Sequence, residues 1–242
     1  MAVFRIALDA GHDAGNQANC SPDYTYYEHE FALDMAKRIK VLLEAAGVGV
    51  VETRPDGAGV TLAERCRIAN NAGVDLFVSL HSNAAGSGGW ANARGWKALI
   101  YDLSGTRYAA AKAILARVDG VSPAMRNPPI DAAPTYYVLK HTKAPAIIIE
   151  HAFHTNQEDV KLLKDPAYRE QMAQAEAAGI LDWLGVSVPE ITPNKTEVEQ
   201  AVEWITGQGI MRGNTFGDLM VDQPLTREQF AVMLHRYDQQ RR

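Results

Sequence analysis

Short apolar runs alternate with longer amphipathic segments along most of the chain. Phe31, Met35, Ile39 and Leu42 repeat at helical spacing within residues 27–46. Other runs have the length and aliphatic content of strands, at residues 3–8, 48–53, 76–80, 96–101, 136–139 and 146–150. This alternation predicts an α/β fold, a mainly parallel sheet with helices on both faces.

Helix start signals and proline content divide the segments between these strands. Thr61-Leu62-Ala63-Glu64 is a capping box that opens a second helix, which ends near residue 73. Further helices are predicted at residues 107–118 and 168–184. Residues 122–134 carry four prolines. They are predicted to form a surface loop that could border a substrate groove.

A domain boundary is predicted after residue 185. Residues 186–195 contain Pro189 and Pro193 without any periodic pattern, as in a short linker between residues 1–185 and 196–242. Two more capping boxes, starting at Thr196 and Thr226, predict a small helical C-terminal module. About 50 residues in two helices bury little surface alone, so the module is expected to dock on a neighbour or pair with copies of itself.

Composition and charge exclude several classes of protein. Hydrophobic residues make up 47% and charged residues 22% of the chain, as in ordinary globular proteins. A net charge of −5 offers no electrostatic footprint for nucleic acid. No stretch reaches the ~18 apolar residues that a membrane-spanning helix needs. The start lacks the pattern of a secretory signal, so synthesis in the cytoplasm is expected.

Residues of metal-binding types stand at the ends of three of the predicted strands. His12, His81 and Glu150 each close or shortly follow an apolar run. Parallel strands bring their carboxyl ends to one crevice, so these side chains are expected to meet. With Glu28 in the first turn of its helix, two imidazoles and one carboxylate can hold a zinc ion, while another carboxylate stays free for proton transfer.

Each of these residues also has an ordinary structural alternative. A single histidine at a strand end is more often a hydrogen-bonded polar residue than a ligand, and a single carboxylate there more often faces solvent. The equivalent positions of His12 and His81 favour a site. Three isoleucines before Glu150 favour a deeply seated strand and hence a functional carboxylate.

An ordered set of short motifs over roughly residues 1–184 is more specific than any one of them. The motifs are Asp9-Ala10-Gly11-His12, Glu28 with Phe31-Ala32-Leu33, Thr53-Arg54, Glu64-Arg65 with Ala69-Asn70, Ser79-Leu80-His81-Ser82-Asn83, and Pro145-Ala146-Ile147-Ile148-Ile149-Glu150 with Phe153 and Asn156. Together they resemble the zinc-dependent N-acetylmuramoyl-L-alanine amidases of the Amidase_3 type. The chain departs from that pattern after the metal histidine, where Asp13-Ala14-Gly15 replaces a Gly-Gly pair.

The resemblance implies a role for each matched residue. His12, Glu28 and His81 correspond to the zinc ligands and Glu150 to the catalytic carboxylate. Zinc would polarise the scissile carbonyl and lower the pKa of its water, while Glu150 would carry the proton to the departing amine. The bond cleaved would join the lactyl group of N-acetylmuramic acid to L-alanine in peptidoglycan. Glu28 is preferred to Glu30 for its spacing to Leu33.

Several neighbouring polar residues have weaker expectations. Asn83 is a candidate substrate-binding residue, with local backbone hydrogen bonds as its structural alternative. Arg54 and Arg65 are expected to pair with carboxylates. His151 and His154 flank Glu150 and are expected either to touch substrate or to be solvated loop histidines.

The tail carries a second resemblance. Residues 194–237 resemble one S-layer homology module through Ala201-Val202-Glu203-Trp204-Ile205, Gly209-Ile210-Met211-Arg212-Gly213 and Leu225-Thr226-Arg227-Glu228-Gln229-Phe230-Ala231-Val232-Met233-Leu234 with Arg236. The resemblance implies attachment to a secondary cell-wall polymer, with Trp204 and Arg227 as the wall-binding positions. Such modules usually occur in threes, so a single one predicts a homo-oligomer formed through the module.

Together these features predict a cell-wall lytic amidase, and the absence of an export signal favours a phage endolysin that reaches the wall after release from the cytoplasm. One alternative keeps zinc but cuts within the stem peptide. The other is a wall-binding protein whose enzymatic domain is inert.

Overall fold

The computed structural model describes residues 4–15, 18–187, 197–211 and 227–240. Contacts divide the chain into two compact units, Met1–Pro189 and Glu190–Arg242. The predicted linker at residues 186–195 falls largely outside the described residues, and its bounds stay a prediction.

One six-stranded sheet organises the first unit. Its elements in chain order are β1 (Arg5–Ala10), α1 (Glu28–Ala45), β2 (Gly49–Glu52), α2 (Leu62–Ala72), β3 (Leu76–Asn83), β4 (Trp96–Ile100), α3 (Gly105–Val118), β5 (Met125–Ala132), α4 (Tyr137–His141), β6 (Ala146–Phe153), α5 (Gln157–Lys164) and α6 (Pro166–Leu184). The strand order is β2-β1-β3-β6-β4-β5. The pair β4 and β6 is antiparallel and all other pairs are parallel, so the predicted mainly parallel sheet is confirmed.

Both faces of the sheet are covered by helices, as the alternation of side chains along β6 shows. Ile147 and Ile149 belong to the larger apolar core, to which α1, α3 and α6 contribute. Ile148 points to the opposite face and packs in a smaller core with residues of α2 and α4. All eight residues of β6 are buried, which explains why its first four residues, Ala146–Ile149, are all apolar and do not alternate with polar ones.

Two segments differ from the sequence-based expectation. The proline-rich stretch is not a loop, because Met125–Ala132 forms β5. As the edge strand it pairs only with β4, so Pro128 and Pro129 remove no hydrogen bond on its free side. The register shifts between Trp96 and Ala98, where β5 passes these prolines. The strand predicted at residues 136–139 is the short helix α4, whose adjacent Val138 and Leu139 are both buried in the smaller core.

Local capping explains where two of the helices begin. The Thr61 side chain accepts a hydrogen bond from the Glu64 backbone N–H, as the capping box predicts. Helix α5 was not anticipated, although the Asn156 side chain caps it by accepting from the N–H groups of Glu158 and Asp159.

The second unit contains the two predicted helices, α7 (Glu197–Gly207) and α8 (Arg227–Gln240). Their predicted caps, Thr196 and Thr226, lie outside the described residues. Among the described residues, no helix is long and apolar enough to cross a membrane.

Candidate metal centre and active site

Neighbouring strands deliver the candidate residues to one end of the sheet. His81 of β3 lies opposite Glu150 of β6 in the parallel register. On the other side of β3, His12 follows β1 by two residues, and Gly11 donates its N–H to the Leu80 carbonyl at 3.0 Å. His12, His81 and Glu150 therefore lie together at this end of the sheet, as their positions after apolar runs predict.

His12, Glu28 and His81 form a cluster that could hold a metal ion. One ligand atom from each lies within 4.8 Å of the others. His12 Nε2 lies 3.3 Å from Glu28 Oε2, and His81 Nδ1 lies 2.9 Å from Glu28 Oε1. The two imidazole rings are nearly perpendicular, with centroids 5.0 Å apart. Glu30, the alternative to Glu28, is exposed.

Glu28 is buried, and hydrogen bonds hold both its side chain and its backbone. Its carboxylate accepts a hydrogen bond from the Ser82 backbone N–H at 3.0 Å, and its own N–H donates to the Asn19 carbonyl at 3.0 Å. Although burial acts to raise the pKa of Glu28, hydrogen bonds from His12 and His81 lower it to about 2. The residue is therefore an anionic ligand candidate at all ordinary pH values.

The imidazole of His81 has a defined orientation. Burial alone would lower its pKa, but the Glu28 carboxylate raises the pKa of His81 to about 9 in the metal-free protein. On the other ring edge, Nε2 lies 3.1 Å from Ser79 Oγ. The single Ser79 hydroxyl hydrogen is donated to Asp9 Oδ2 at 2.5 Å, so Ser79 Oγ can only accept from Nε2–H of His81. Nδ1, which lies 2.9 Å from Glu28 Oε1, is thus the candidate ligand atom of His81.

Asp9 is a buried carboxylate that supports His81 through Ser79, a role that was not predicted from the sequence. It is 1% exposed and accepts hydrogen bonds from Thr53, Ser79 and Arg65. A signal was present, since an aspartate inside an apolar strand run needs buried partners. Through Ser79, Asp9 supports the ligand histidine much as outer-shell carboxylates do in metal sites.

Two buried arginines hold the loop that carries His12. Arg65 forms the expected ion pair with Asp9, with its Nη1 2.6 Å from Oδ1, and donates from Nη2 to the His12 carbonyl at 2.7 Å. Arg54 was expected to pair with a carboxylate, but it donates instead to the backbone carbonyls of Ala10, Gly11 and His29. These bonds give partners to backbone carbonyl groups of the loop, in which His12 has a φ of 54°.

Glu150 lines the same cleft as the cluster. The cleft has a volume of about 490 Å³. Its Oε2 is the one buried side-chain oxygen or nitrogen without a hydrogen-bond partner in the described parts of the chain. Burial raises the pKa of Glu150 to about 7, against the opposing effect of His81. A buried carboxyl that titrates near neutrality and has an unsatisfied oxygen is suited to accept and return a proton.

The neighbouring residues divide between the cleft and the protein interior. Asn83 lines the cleft, and its Oδ1 accepts a hydrogen bond from the Ala84 N–H at 2.8 Å, so both of its expected roles stay open to test. The expectation of solvated loop histidines is wrong for His151 and His154, which are 0% and 3% exposed. His151 lies on the far face of β6, with Nε2 3.0 Å from Glu176 Oε1.

His154 instead reaches the cleft, which it lines. Its Nδ1 lies 2.9 Å from Ser82 Oγ. Burial lowers the pKa of His154. His154 follows the end of β6, where the apolar pattern no longer specifies which side chains are buried, and the sequence therefore left both alternatives for this residue open.

The fold and site define an α/β domain with a candidate metal cluster beside a buried carboxyl group, and comparison with known proteins gives the family. Residues 6–182 match Amidase_3, N-acetylmuramoyl-L-alanine amidase, and the chain belongs to this family. It is similar to the N-acetylmuramoyl-L-alanine amidase LytC of Bacillus subtilis (strain 168), with 30% identity over 184 residues, or 74% of this chain. It is also similar to the endolysin of Bacillus phage SPP1, with 31% identity over 187 residues, or 75% of this chain.

Solved structures agree. The chain resembles the CwlD amidase of Clostridioides difficile, solved in complex with the GerS lipoprotein, with a TM-score of 0.70 and 26% identity, covering 76% of this chain and 100% of that one. The matched regions span only 35% of LytC and 66% of the SPP1 endolysin. Family membership is thus established, while the activity of the whole protein is a matter for proposal.

Proposed function

We propose that this protein is a zinc-dependent N-acetylmuramoyl-L-alanine amidase that hydrolyses the amide bond between N-acetylmuramic acid and L-alanine in peptidoglycan. The observation that carries the proposal is the convergence of His12, Glu28 and His81, with ligand atoms within 4.8 Å of one another, beside Glu150 in one cleft. Family membership supports the same reaction.

The residues present fit a catalytic zinc ion. Two imidazoles and one carboxylate are a donor set found in hydrolytic zinc sites, which leave a further position for water or substrate. The partnerless Oε2 of Glu150 in the same cleft fits this arrangement, since such a buried oxygen needs a water or a substrate group as its partner. When bound, zinc would supply Lewis-acid polarisation of the scissile carbonyl and a lowered pKa for water.

The protein's own residues would move the proton. Glu150, as carboxylate, takes a proton from the attacking water and then passes it to the nitrogen of the leaving L-alanine. Its pKa of about 7 lets it hold the proton between the two steps. Donation matters because an amide nitrogen leaves poorly without protonation. Glu28 stays ionised throughout, and the Asp9–Ser79 pair keeps His81 oriented.

Digestion of purified cell walls tests the reaction. Mass spectrometry should find peptides with a free L-alanine amino group and glycan without new reducing ends. Chelation should abolish this activity and added zinc should restore it. Glu150→Gln should keep its zinc but lose activity by about 10²- to 10⁴-fold, the usual contribution of a general acid–base residue. The exposed Glu158→Gln serves as a matched carboxylate control.

The products also decide between this proposal and its alternatives. A zinc peptidase would release fragments cut inside the stem peptide and leave L-alanine attached to the glycan. An inert wall-binding protein would release nothing, and its wall binding would not depend on chelation. Either result would overturn the amidase assignment.

The second unit is proposed to be an S-layer homology-like module that binds a secondary cell-wall polymer. Trp204 of α7 is 52% exposed and makes an edge-on ring contact with Tyr237 of α8, with centroids 6.3 Å apart. Exposed aromatic rings of this kind suit stacking on sugars. Arg227 begins α8, but its side chain lies outside the described residues. Substitution of either position by alanine in the full chain should weaken sedimentation with polymer-bearing walls and leave binding to polymer-stripped walls unchanged.

Self-association and origin complete the proposal. A single module is proposed to form its sites as a homo-oligomer, so a strict monomer in analytical ultracentrifugation would contradict this part. We also propose action on the wall as an endolysin, for which the similarity to the SPP1 endolysin is the support. Lysis of susceptible cells by added protein, lost in Glu150→Gln, is the corresponding test.

A further inference from the structure

His154 stands where two clefts meet. It lines the cleft of the metal cluster and also an adjoining cleft of about 400 Å³. Asn19 and Ala84 line both as well, so the two clefts lie next to each other at this point. Among the described residues, no lysine, arginine, aspartate or glutamate lines the adjoining cleft. It therefore suits an uncharged ligand rich in amide and hydroxyl groups.

A buried hydrogen-bond chain leads to this histidine. The Tyr26 hydroxyl donates to Ser82 Oγ at 2.8 Å, and Ser82 Oγ lies 2.9 Å from His154 Nδ1. Tyr26 is 4% exposed, and Ser82 is the partner of its hydroxyl among the described residues. If this hydroxyl did not donate to Ser82, its hydrogen would be buried without an acceptor, which is costly.

The direction of the chain fixes the proton on His154. Because Ser82 Oγ accepts from Tyr26 and is buried, its own single hydrogen needs another acceptor, and among the described residues His154 Nδ1 is the acceptor that its side chain contacts. Nδ1 is then an acceptor without a proton, and the proton of the neutral ring is on Nε2. Glu28 Oε2 does not compete for Nδ1, since their separation of 3.9 Å is too long for a hydrogen bond.

Nε2 of His154 is open to the cleft. It has no hydrogen-bond partner among the described residues. Glu150 Oε2 is the only fully buried side-chain nitrogen or oxygen of those residues that lacks a partner, so Nε2 of His154 is not fully buried. Nε2 therefore has access to solvent space, although the residue as a whole is 3% exposed. The result is an oriented N–H donor at the junction of the two clefts.

We infer that His154 binds substrate by donating its Nε2–H to an amide carbonyl oxygen that lies at the entrance of the adjoining cleft. The inference rests on the proposed amidase function for the identity of the substrate. Amide carbonyls occur both in the acetamido groups of the glycan and in the stem peptide, and the probes below distinguish these sources.

The tautomer can be measured without any substrate. Two-bond ¹H–¹⁵N correlation spectra should show His154 with an unprotonated Nδ1 and a protonated Nε2, assigned by the signals lost in His154→Gln. Tyr26→Phe should give a mixture of tautomers, because Ser82 can then accept from Nδ1–H at no cost. Tyr168→Phe is the control. It also removes a buried hydroxyl, but that hydroxyl donates to the His151 carbonyl and is not part of the Tyr26–Ser82–His154 hydrogen-bond chain, so the tautomer should stay unchanged. A wild-type proton on Nδ1, or on both nitrogens, would overturn the inference.

The donor role is tested by a matched pair of amides. The side-chain nitrogen of Gln reaches the position of histidine Nε2, whereas that of Asn reaches the position of Nδ1. With a soluble N-acetylmuramoyl-peptide substrate, His154→Asn should raise KM by about fivefold to tenfold with little change in kcat, the effect of one lost hydrogen bond in binding. His154→Gln should recover most of that loss, and zinc content should stay at one ion in both. Equal KM values for the two variants would contradict donation from Nε2.

Two inhibitors identify the carbonyl. An N-acetylglucosamine tetramer and a free stem tetrapeptide are compared against wild type, His154→Gln and His154→Asn. The probe whose binding weakens selectively in His154→Asn carries the contacted carbonyl, and no selective change for either probe would overturn the contact. If wild type binds a probe in this way but cleaves no wall fragment, the proposed function fails while the His154 contact stands.

Discussion

Gly11 lies directly against the imidazole of His81, and the close approach leaves no room for a side chain. A Cβ on Gly11 would lie 2.3 Å from Cε1 of His81. Gly11 directly precedes His12, the other candidate histidine ligand. The positive φ, however, belongs to His12 and not to Gly11, so glycine is required here by space and not by backbone conformation.

Gly11→Ala should therefore displace the His81 ring and weaken zinc binding. We expect affinity to fall by at least tenfold to 100-fold, as when a ligand's support is removed, while the fold is kept. Competition with a chromophoric chelator measures the affinity, and circular dichroism checks the fold. Gly120→Ala is the control, since a Cβ there meets nothing within 4 Å. Unchanged affinity in Gly11→Ala would show that His81 is not a ligand in this orientation.

Asp9→Asn should affect both stability and the metal site. The substitution leaves the buried Arg65 charge without its partner, and breaking such a pair costs about 3–5 kcal/mol in the free energy of unfolding. It also weakens the acceptor that orients Ser79 and hence His81, so zinc affinity should fall by about 10- to 100-fold. Urea unfolding and chelator competition measure the two effects.

The control for Asp9 is an aspartate at the surface. Asp131 pairs with Lys97 at 2.8 Å, but its side chain is 44% exposed. Asp131→Asn should change the free energy of unfolding by less than about 1 kcal/mol and leave zinc affinity unchanged. An Asp9→Asn protein as stable as this control would contradict the role of Asp9 as the buried carboxylate that supports the site.

Zinc binding should release a proton from His81. The pKa of this residue is raised from 6.5 to about 9 in the metal-free protein, chiefly by Glu28, so near neutral pH the ligand atom Nδ1 carries a proton that zinc must displace. Zinc affinity should rise with pH between these two values and level off above the higher one. Calorimetry in buffers of different ionisation enthalpy counts the proton, and heats independent of buffer near neutrality would contradict the assignment.

The ion pair between His81 and Glu28 should make the stability of the metal-free protein fall with rising pH, whereas zinc affinity rises. A raised pKa in the folded state means that protonated His81 favours folding. This stabilisation is fully present below 6.5 and is lost as pH rises through about 9. Metal removal and alkaline pH should therefore destabilise the protein together.

The sequence predicted the members of the metal cluster better than the polar groups that support it. His12, His81 and Glu150 each close or shortly follow an apolar run, and neighbouring parallel strands bring the ends of such runs together whatever the details of packing. Glu28 needed the family resemblance, because a glutamate at a helix start has no distinctive pattern of its own. The Asp9–Ser79 contact follows from strand register, which no single sequence segment encodes.

Errors in the fold came from segments whose state is decided by their neighbours. Pro128 and Pro129 argue against a strand in the sequence. They are tolerated in β5 because it is an edge strand, with only one of its edges paired. Val138 and Leu139 are apolar enough for a strand, but α4 buries both against the smaller core in a single turn. Short apolar runs do not separate these outcomes.

Gly179→Ala should destabilise the first unit without touching the metal site. Alanine in place of glycine normally stabilises a helix interior by about 1 kcal/mol. Here a Cβ would lie 2.4 Å from Cα of Ile114, so the backbone of α3 would have to move, and overpacking of this kind costs about 1–3 kcal/mol. Neither Gly179 nor Ile114 lines the cleft, so zinc affinity should stay unchanged. Urea unfolding beside Gly120→Ala measures the difference, and a Gly179→Ala protein more stable than wild type would show that α3 and α6 pack less closely than described.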